Sequence, residues 1–145
     1  MDVVYFPDDP RPPRWMSPVL ALGNFDGLHR GHQKIVERIR RSAADRGATA
    51  LVLTFDPHPP RVVRPDKAPP LLMTMPQKVA ALERAGLHGV AVVRFTEAFS
   101  RLSPEQISAR GVALVPQGRR IFKSLTVREN LSVAARKPRP GAKYV

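Results

Sequence analysis

The stretch Val19-Leu20-Ala21-Leu22-Gly23-Asn24-Phe25-Asp26-Gly27-Leu28-His29-Arg30-Gly31-His32 decides the fold of this chain. Its first four residues are apolar and bounded by Pro18 and Gly23, the pattern of a short, buried parallel strand. Its end opens a segment, from about Gly31 to Arg46, in which Ile35, Val36, Ile39 and Ala43 recur at helical spacing. Lys34, Glu37, Arg38, Arg40 and Arg41 take the other faces, and Gly47 is placed to end the helix. Between strand and helix, Gly23, Gly27 and Gly31 let backbone approach a ligand. The helix start adds unpaired N–H groups and the positive end of its dipole. A strand, a glycine turn and a helix in that order make a seat for a nucleotide phosphate.

Working outward, Ala50-Leu51-Val52-Leu53-Thr54-Phe55 reads as a second buried strand, so residues 19–55 form a βαβ unit. The glycine turn then lies at the carboxyl end of a strand, where open α/β sheets bind ligands. Residues 56–75 are proline-rich and carry no periodic pattern, and loops that long are functional or disordered. A helix over 76–85 follows, with Pro76 in its first turn and Val79, Leu82 and Ala85 on its apolar face. Val90-Ala91-Val92-Val93 is a third strand, and residues 95–102 a short helical or turn segment. Residues 1–17 read as an irregular or edge-strand lead-in, because Pro7, Pro10, Pro12 and Pro13 withhold backbone donors. Beyond Gln106 the pattern is a strand at 112–115, a loop at 116–120, and a helix capped by Thr126 and running to about Ala135. A basic tail over 137–145 is expected to be disordered. The fold class is α/β: a parallel sheet of three or four strands with Rossmann-like winding and a C-terminal appendage.

Composition narrows the chemistry. The 145 residues hold 24 Lys and Arg against 12 Asp and Glu, a net charge of +12, which favours anionic partners. The arginines are spread along the chain, and aromatics for base stacking are few (6 Phe, 2 Tyr, 1 Trp), so a specific nucleic-acid partner is not expected. Cysteine is absent, which excludes disulfides, thiolate metal sites and cysteine catalysis. No apolar run approaches the ~18 residues of a membrane span, and residues 1–14 lack a secretory signal pattern. The expectation is a cytoplasmic protein with small-molecule ligands. Composition fixes no oligomeric state.

The histidines sharpen the site. His29 and His32 fall on the first turn of the helix, where imidazole donors can stabilise charge on a crowded phosphate during phosphoryl or nucleotidyl transfer. The plainer alternative is a strand-to-helix turn with two surface histidines. Zinc ligation by His-x-x-His lacks a third ligand at suitable spacing, so no metal site is expected. On spacing alone, His58 between Pro57 and Pro59 is equally a ligand contact or a loop residue. His88 reads as a solvated residue at a helix end.

Residues 23–32 resemble the nucleotidyltransferase signature G-x-F-D-x-x-H-x-G-H. More narrowly, Leu53-Thr54-Phe55-Asp56-Pro57-His58-Pro59, Leu72-Met73-Thr74, Lys78-Val79-Ala80-Ala81-Leu82 and Phe95-Thr96-Glu97-Ala98-Phe99-Ser100-Arg101-Leu102-Ser103 resemble the FAD synthetase module of prokaryotic bifunctional riboflavin kinase/FMN adenylyltransferases. The likeness runs from about residue 17 to 106. It implies transfer of AMP from ATP to FMN, giving FAD and pyrophosphate, with Mg²⁺ bridging phosphates. It also implies that His29 and His32 are the catalytic pair and that Gly23, Asn24, Phe25, Asp26 and Gly31 hold ATP. Asp56, Pro57 and His58 would line the flavin side.

Departures from the family follow Gln106. The Gly-x-Asp-Phe-x-Phe-Gly and Ser-Ser-x-Arg motifs are absent, and so is a phosphate-contacting arginine three residues after a Ser or Thr. Instead, residues 109–131 resemble the Q-loop segment of an ABC transporter ATPase of the branched-chain amino-acid type, with Gln117 as the Q-loop glutamine. The expected organisation is a partial FAD synthetase domain over 1–106, an ABC-ATPase-like fragment over 107–136 and a basic tail over 137–145. The expected function is FMN adenylyl transfer, impaired by the truncation. The alternatives are a non-catalytic nucleotide-binding chimera, an ABC ATP-binding fragment, which lacks a phosphate loop, and a basic partner-binding module.

Overall fold

The computed structural model describes residues 1–6, 8–103, 106–107 and 126–129. The chain divides into two compact units, residues 1–100 and 101–145. The first unit contains β1 (Asp2–Phe6), β2 (Val19–Leu22), α1 (Arg30–Ala44), β3 (Ala50–Asp56), α2 (Pro59–Val63), α3 (Met75–Arg84), β4 (Gly89–Arg94) and α4 (Glu97–Ser100). Its four strands form one sheet in the order β1-β4-β3-β2, and every pairing is parallel. The α/β fold expected from the sequence is the one observed.

Both long helices pack on one side of this sheet. The register places Val19 beside Ala50, Ala21 beside Val52, and Val52 beside Val90, on a single face. Val36, Ile39 and Ala43 of α1 and Leu82 of α3 cover those residues in one core. The opposite face carries a smaller cluster in which Trp15 packs with Val4 and Leu51. Trp15 lies so close over Gly89 that a Cβ there would come within 2.3 Å of the indole, so only glycine fits beneath it. The indole N–H donates to Asp2 at 3.1 Å, which satisfies its one polar atom.

Of the two readings of the lead-in, the edge strand is the one observed: β1 lies at the edge of the sheet, and the terminal amine before it donates to Glu83 at the end of α3 (2.8 Å). Several expectations need correction. Strand β2 is parallel as expected but is not buried on both faces. Among the described residues it has one neighbour, and Leu20 and Leu22 remain 43% and 58% exposed. Its apolar run reflects strand propensity and one covered face. The segment after β3 is not structureless, because α2 and a 3₁₀ turn at Pro65–Lys67 form inside it. Prolines at the first turn of each explain how so proline-rich a stretch can coil. Helix α3 starts at Met75 behind a capping box in which Thr74 and Gln77 satisfy each other's backbone N–H groups. Its buried side chains are Lys78, Ala81 and Leu82, so the stripe is rotated from the expected Val79, Leu82 and Ala85. His88 is exposed yet structural: its Nδ1 accepts from the N–H of Ala50 at 2.9 Å, at the entry of β3.

In the second unit, Thr126 Oγ1 accepts from the N–H of Glu129 (3.2 Å), and the Glu129 carboxylate accepts from Thr126 N–H (2.7 Å). That is the cap expected at Thr126. The expected strand at 112–115, the loop at 116–120, the body of the following helix and the tail fall outside the described residues.

Candidate functional site

The turn between β2 and α1 owes its shape to two side-chain-bearing residues as much as to glycine. Phe25 (φ 47°) and Leu28 (φ 36°) adopt left-handed backbone conformations alongside Gly27 (φ 77°). A non-glycine residue held there costs on the order of 1–2 kcal/mol, so surrounding contacts must hold the turn. The Phe25 ring, 1% exposed, is driven into the core beneath α1 and α3. Gly23 and Gly31 serve close approach: a Cβ on the first would meet the Phe25 ring at 3.1 Å, and one on the second the His29 ring at 3.2 Å.

His29 is the N-cap of α1. Its Nδ1 accepts a long bond from the N–H of His32 (3.4 Å), so the neutral ring carries its proton on Nε2. The His29 and His32 rings stack with centroids 3.8 Å apart and planes 19° apart, and His32 leans on Phe25 at 4.9 Å. The pK of His32 is lowered, first by burial and then by the neighbouring His29; Lys78 adds to this and Asp26 opposes it. Neutral imidazole is therefore the resting form at pH 7.

Below the turn lies a second set of contacts. Both carboxylate oxygens of Asp26 accept backbone N–H groups, from Leu72 and Met73, each at 3.0 Å. Asp26 thereby ties the turn to the segment leading into α3. The carbonyl of Asn24 accepts twice, from Lys78 Nζ at 2.7 Å and from Thr54 Oγ1 at 3.1 Å. Burial lowers the Lys78 pK, while the charges of Asp26 and Asp56 raise it. Burial likewise lowers the His58 pK, opposed by Asp26 and reinforced by Lys78 and Arg61. Asp56 and Pro57 are joined by a cis peptide bond at the carboxyl end of β3.

The residues picked from sequence thus form two groups that share the turn. His32 touches both Phe25 and His29 at the turn's helix end. Asn24 and Asp26, with Asp56 and His58 as electrostatic neighbours, surround Lys78 on its underside. Among the described residues three buried side-chain polar atoms have no hydrogen-bond partner, and two of them are His32 Nδ1 and His58 Nδ1. Buried polar atoms are normally satisfied, and the third exception is Thr49 Oγ1. A shallow groove lined by Leu72, Met73, Gln77, Ala80 and Arg84 borders the Asp26-bound segment, but no turn side chain lines it. Sequence reasoning missed Lys78 as a site residue. Its signal was a lysine on the same helical stripe as Ala81 and Leu82, three and four residues on.

The chain resembles known proteins over this same region. The bifunctional riboflavin kinase/FMN adenylyltransferase of Bacillus subtilis (strain 168) is 44% identical over 89 residues, covering 61% of this chain and 28% of that protein. The protein of the same description from Listeria monocytogenes is 40% identical over 91 residues, 62% of this chain and 29% of the relative. That from Escherichia coli (strain K12) is 34% identical over 87 residues, 60% and 28% respectively. The chain therefore spans under a third of the length of the curated relatives it matches. A crystal structure of a macrolide-efflux protein from Streptococcus pneumoniae shares the fold, with a TM-score of 0.61 at 22% identity over 75% of this chain and 38% of that one. The family described as FAD synthetase matches residues 12–112, a span that holds β2, β3, β4, the turn and its histidines, and the chain belongs to that family.

Proposed function

We propose that this chain binds MgATP at the Gly23–His32 turn and transfers AMP to FMN, releasing pyrophosphate and forming FAD. The observation that carries the reading is the stacked His29–His32 pair at the start of α1, with an unpartnered buried Nδ1 on His32. A phosphate oxygen of FMN attacks the α-phosphorus of ATP, a P–O bond forms, and the bond to the pyrophosphate leaving group breaks. The nucleophile arrives on the substrate, so the protein's task is placement and charge stabilisation. Gly23, Asn24, Phe25, Asp26 and Gly31 form the turn that receives ATP, and the ring N–H of His29 and the neutral imidazole of His32 act on its phosphates. Asp56, Pro57 and His58, at the end of β3, take the flavin side. Magnesium enters on the triphosphate as part of the substrate.

The departures from the family's motifs after Gln106 bear on rate. Losing a phosphate-contacting arginine typically costs about 10³-fold or more in turnover, so binding is expected to be retained more fully than catalysis. Residues 107–136, with their likeness to a Q-loop segment, and the tail over 137–145 stand apart from the nucleotide chemistry in this reading. Among the described residues no helix is long and apolar enough to cross a membrane, and a cytoplasmic place for the chain is part of the proposal. Incubation with ATP, Mg²⁺ and FMN, followed by chromatographic separation of flavins, tests it. FAD above a His32→Ala control supports the reading, and ATP affinity without any FAD favours the non-catalytic nucleotide-binding alternative.

A further inference from the structure

Lysine is almost never buried without a purpose, because its ammonium is strongly hydrated. Lys78 is 5% exposed, the one charged side chain among the buried residues described. It reaches from α3 across to the turn, where Nζ donates to the Asn24 carbonyl at 2.7 Å. That carbonyl has two lone pairs, and Thr54 Oγ1 from β3 takes the other at 3.1 Å. The peptide so held leads directly into Phe25, a residue in a left-handed conformation that costs energy unless its neighbours enforce it. Three elements, α3, β3 and the turn, therefore converge on one oxygen atom. Burial lowers the Lys78 pK, the Asp26 and Asp56 carboxylates oppose that, and Asp26 itself is anchored to the Leu72 and Met73 amides.

We propose that Lys78 is a positioning residue of the nucleotidyl-transfer site: its ammonium clamps the Asn24 carbonyl, fixes the Phe25–Leu28 backbone from which His29 and His32 are aimed, and places a positive charge beneath the ATP phosphates. The proposal rests on the function given above. It assigns to Lys78 an effect on ATP rather than on the flavin, because the atom it holds belongs to the phosphate turn.

The test uses the full chain and three variants. Lys78→Met keeps the length of the side chain and removes the donor and the charge. Thr54→Val removes the other bond to the same carbonyl and leaves the charge in place. Because the chain has no cysteine, Lys78→Cys can be aminoethylated selectively in denaturant and refolded, restoring a lysine-like amine of lower pK. The expected result for Lys78→Met is a loss of at least about tenfold in kcat/KM for ATP, a smaller change in KM for FMN, and faster amide exchange at residues 24–29 with β4 unchanged. Aminoethylation is expected to restore activity and to move the alkaline limb of the pH–rate profile downward, which a purely space-filling role would not do. Thr54→Val is expected to cost less than Lys78→Met. Activity and turn exchange in Lys78→Met within about twofold of the parent would overturn the proposal while leaving the function intact. If the parent forms no FAD and binds no ATP, the functional reading fails, and exchange alone decides whether Lys78 holds the turn. Unchanged exchange in Lys78→Met would then overturn that as well.

Discussion

The imidazoles of His29 and His32 are stacked, with centroids 3.8 Å apart, and His29 caps the helix that carries His32. One histidine thus shapes the start of α1 while the other has a buried nitrogen without a partner. Structure and function draw on the pair differently, and substitutions can separate them.

His29→Asp is the separating change. Aspartate is a better N-cap than histidine and its charge suits the positive end of the helix, so the variant should be about 0.5–1 kcal/mol more stable. The same charge repels phosphate, so affinity for MgATP should fall. Thermal melts and ATP titration of one sample check both halves.

Lowered histidine pK values make stability depend on pH in a defined direction. His32 and His58 bind protons less readily in the folded chain than at their ordinary pK of 6.5. The unfolded chain therefore takes up protons first as pH falls, and their contribution, complete above 6.5, is lost as pH drops through their folded values. The melting temperature should decline between pH 7 and 5. The decline should be shallower in His32→Ala and His58→Ala, and equal slopes in all three proteins would contradict these shifts.

Burial separates two leucines that look alike in the sequence. Leu82 is fully buried between α3 and the sheet, and Leu82→Ala should cost about 2–5 kcal/mol. Leu22 lies on β2 with 58% of its surface exposed, and Leu22→Thr should change stability by no more than about 0.5 kcal/mol. Denaturant midpoints measure the contrast.

Glycine at positive φ can be graded in the same way. A Cβ added to Gly47 (φ 59°) would have nothing within 4 Å of it, so Gly47→Ala should cost only the conformational penalty of about 1–2 kcal/mol. At Gly27 (φ 77°) a Cβ would come within 2.7 Å of Leu72 Cδ1. Gly27→Ala should therefore also disturb the Leu72 and Met73 amides that hold Asp26, and weaken ATP binding beyond its effect on stability. Thermal melts and MgATP titration of the two variants side by side measure the difference.

Much of this was legible from residues alone. The apolar runs at 19–22, 50–55 and 90–93 marked their strands, because each is short, β-prone and bounded by turn residues. The histidine turn declared its place at a strand end. What was not legible depends on contacts distant in sequence. The prolines left an edge strand or an irregular lead-in open over residues 1–17, and it is pairing with β4, far along the chain, as in Asp2 beside Gly89, that decides for the strand. The exposed side of β2 depends on which elements lie against it. The buried position of Lys78 depends on the Asn24 carbonyl, 54 residues back in the chain. Polarity argued against putting a lysine inside, and a hydrogen bond from another element overruled it.

The central claim is that the Gly23–His32 turn seats the phosphates of ATP. Calorimetric titration of MgATP into the full chain, beside a His29→Ala/His32→Ala double variant, both held well below their melting transitions, tests it most directly. The account predicts saturable binding by the parent, competed by pyrophosphate, and affinity reduced at least about tenfold in the double variant. Equal affinity in the two proteins, or no binding by the parent, would contradict it.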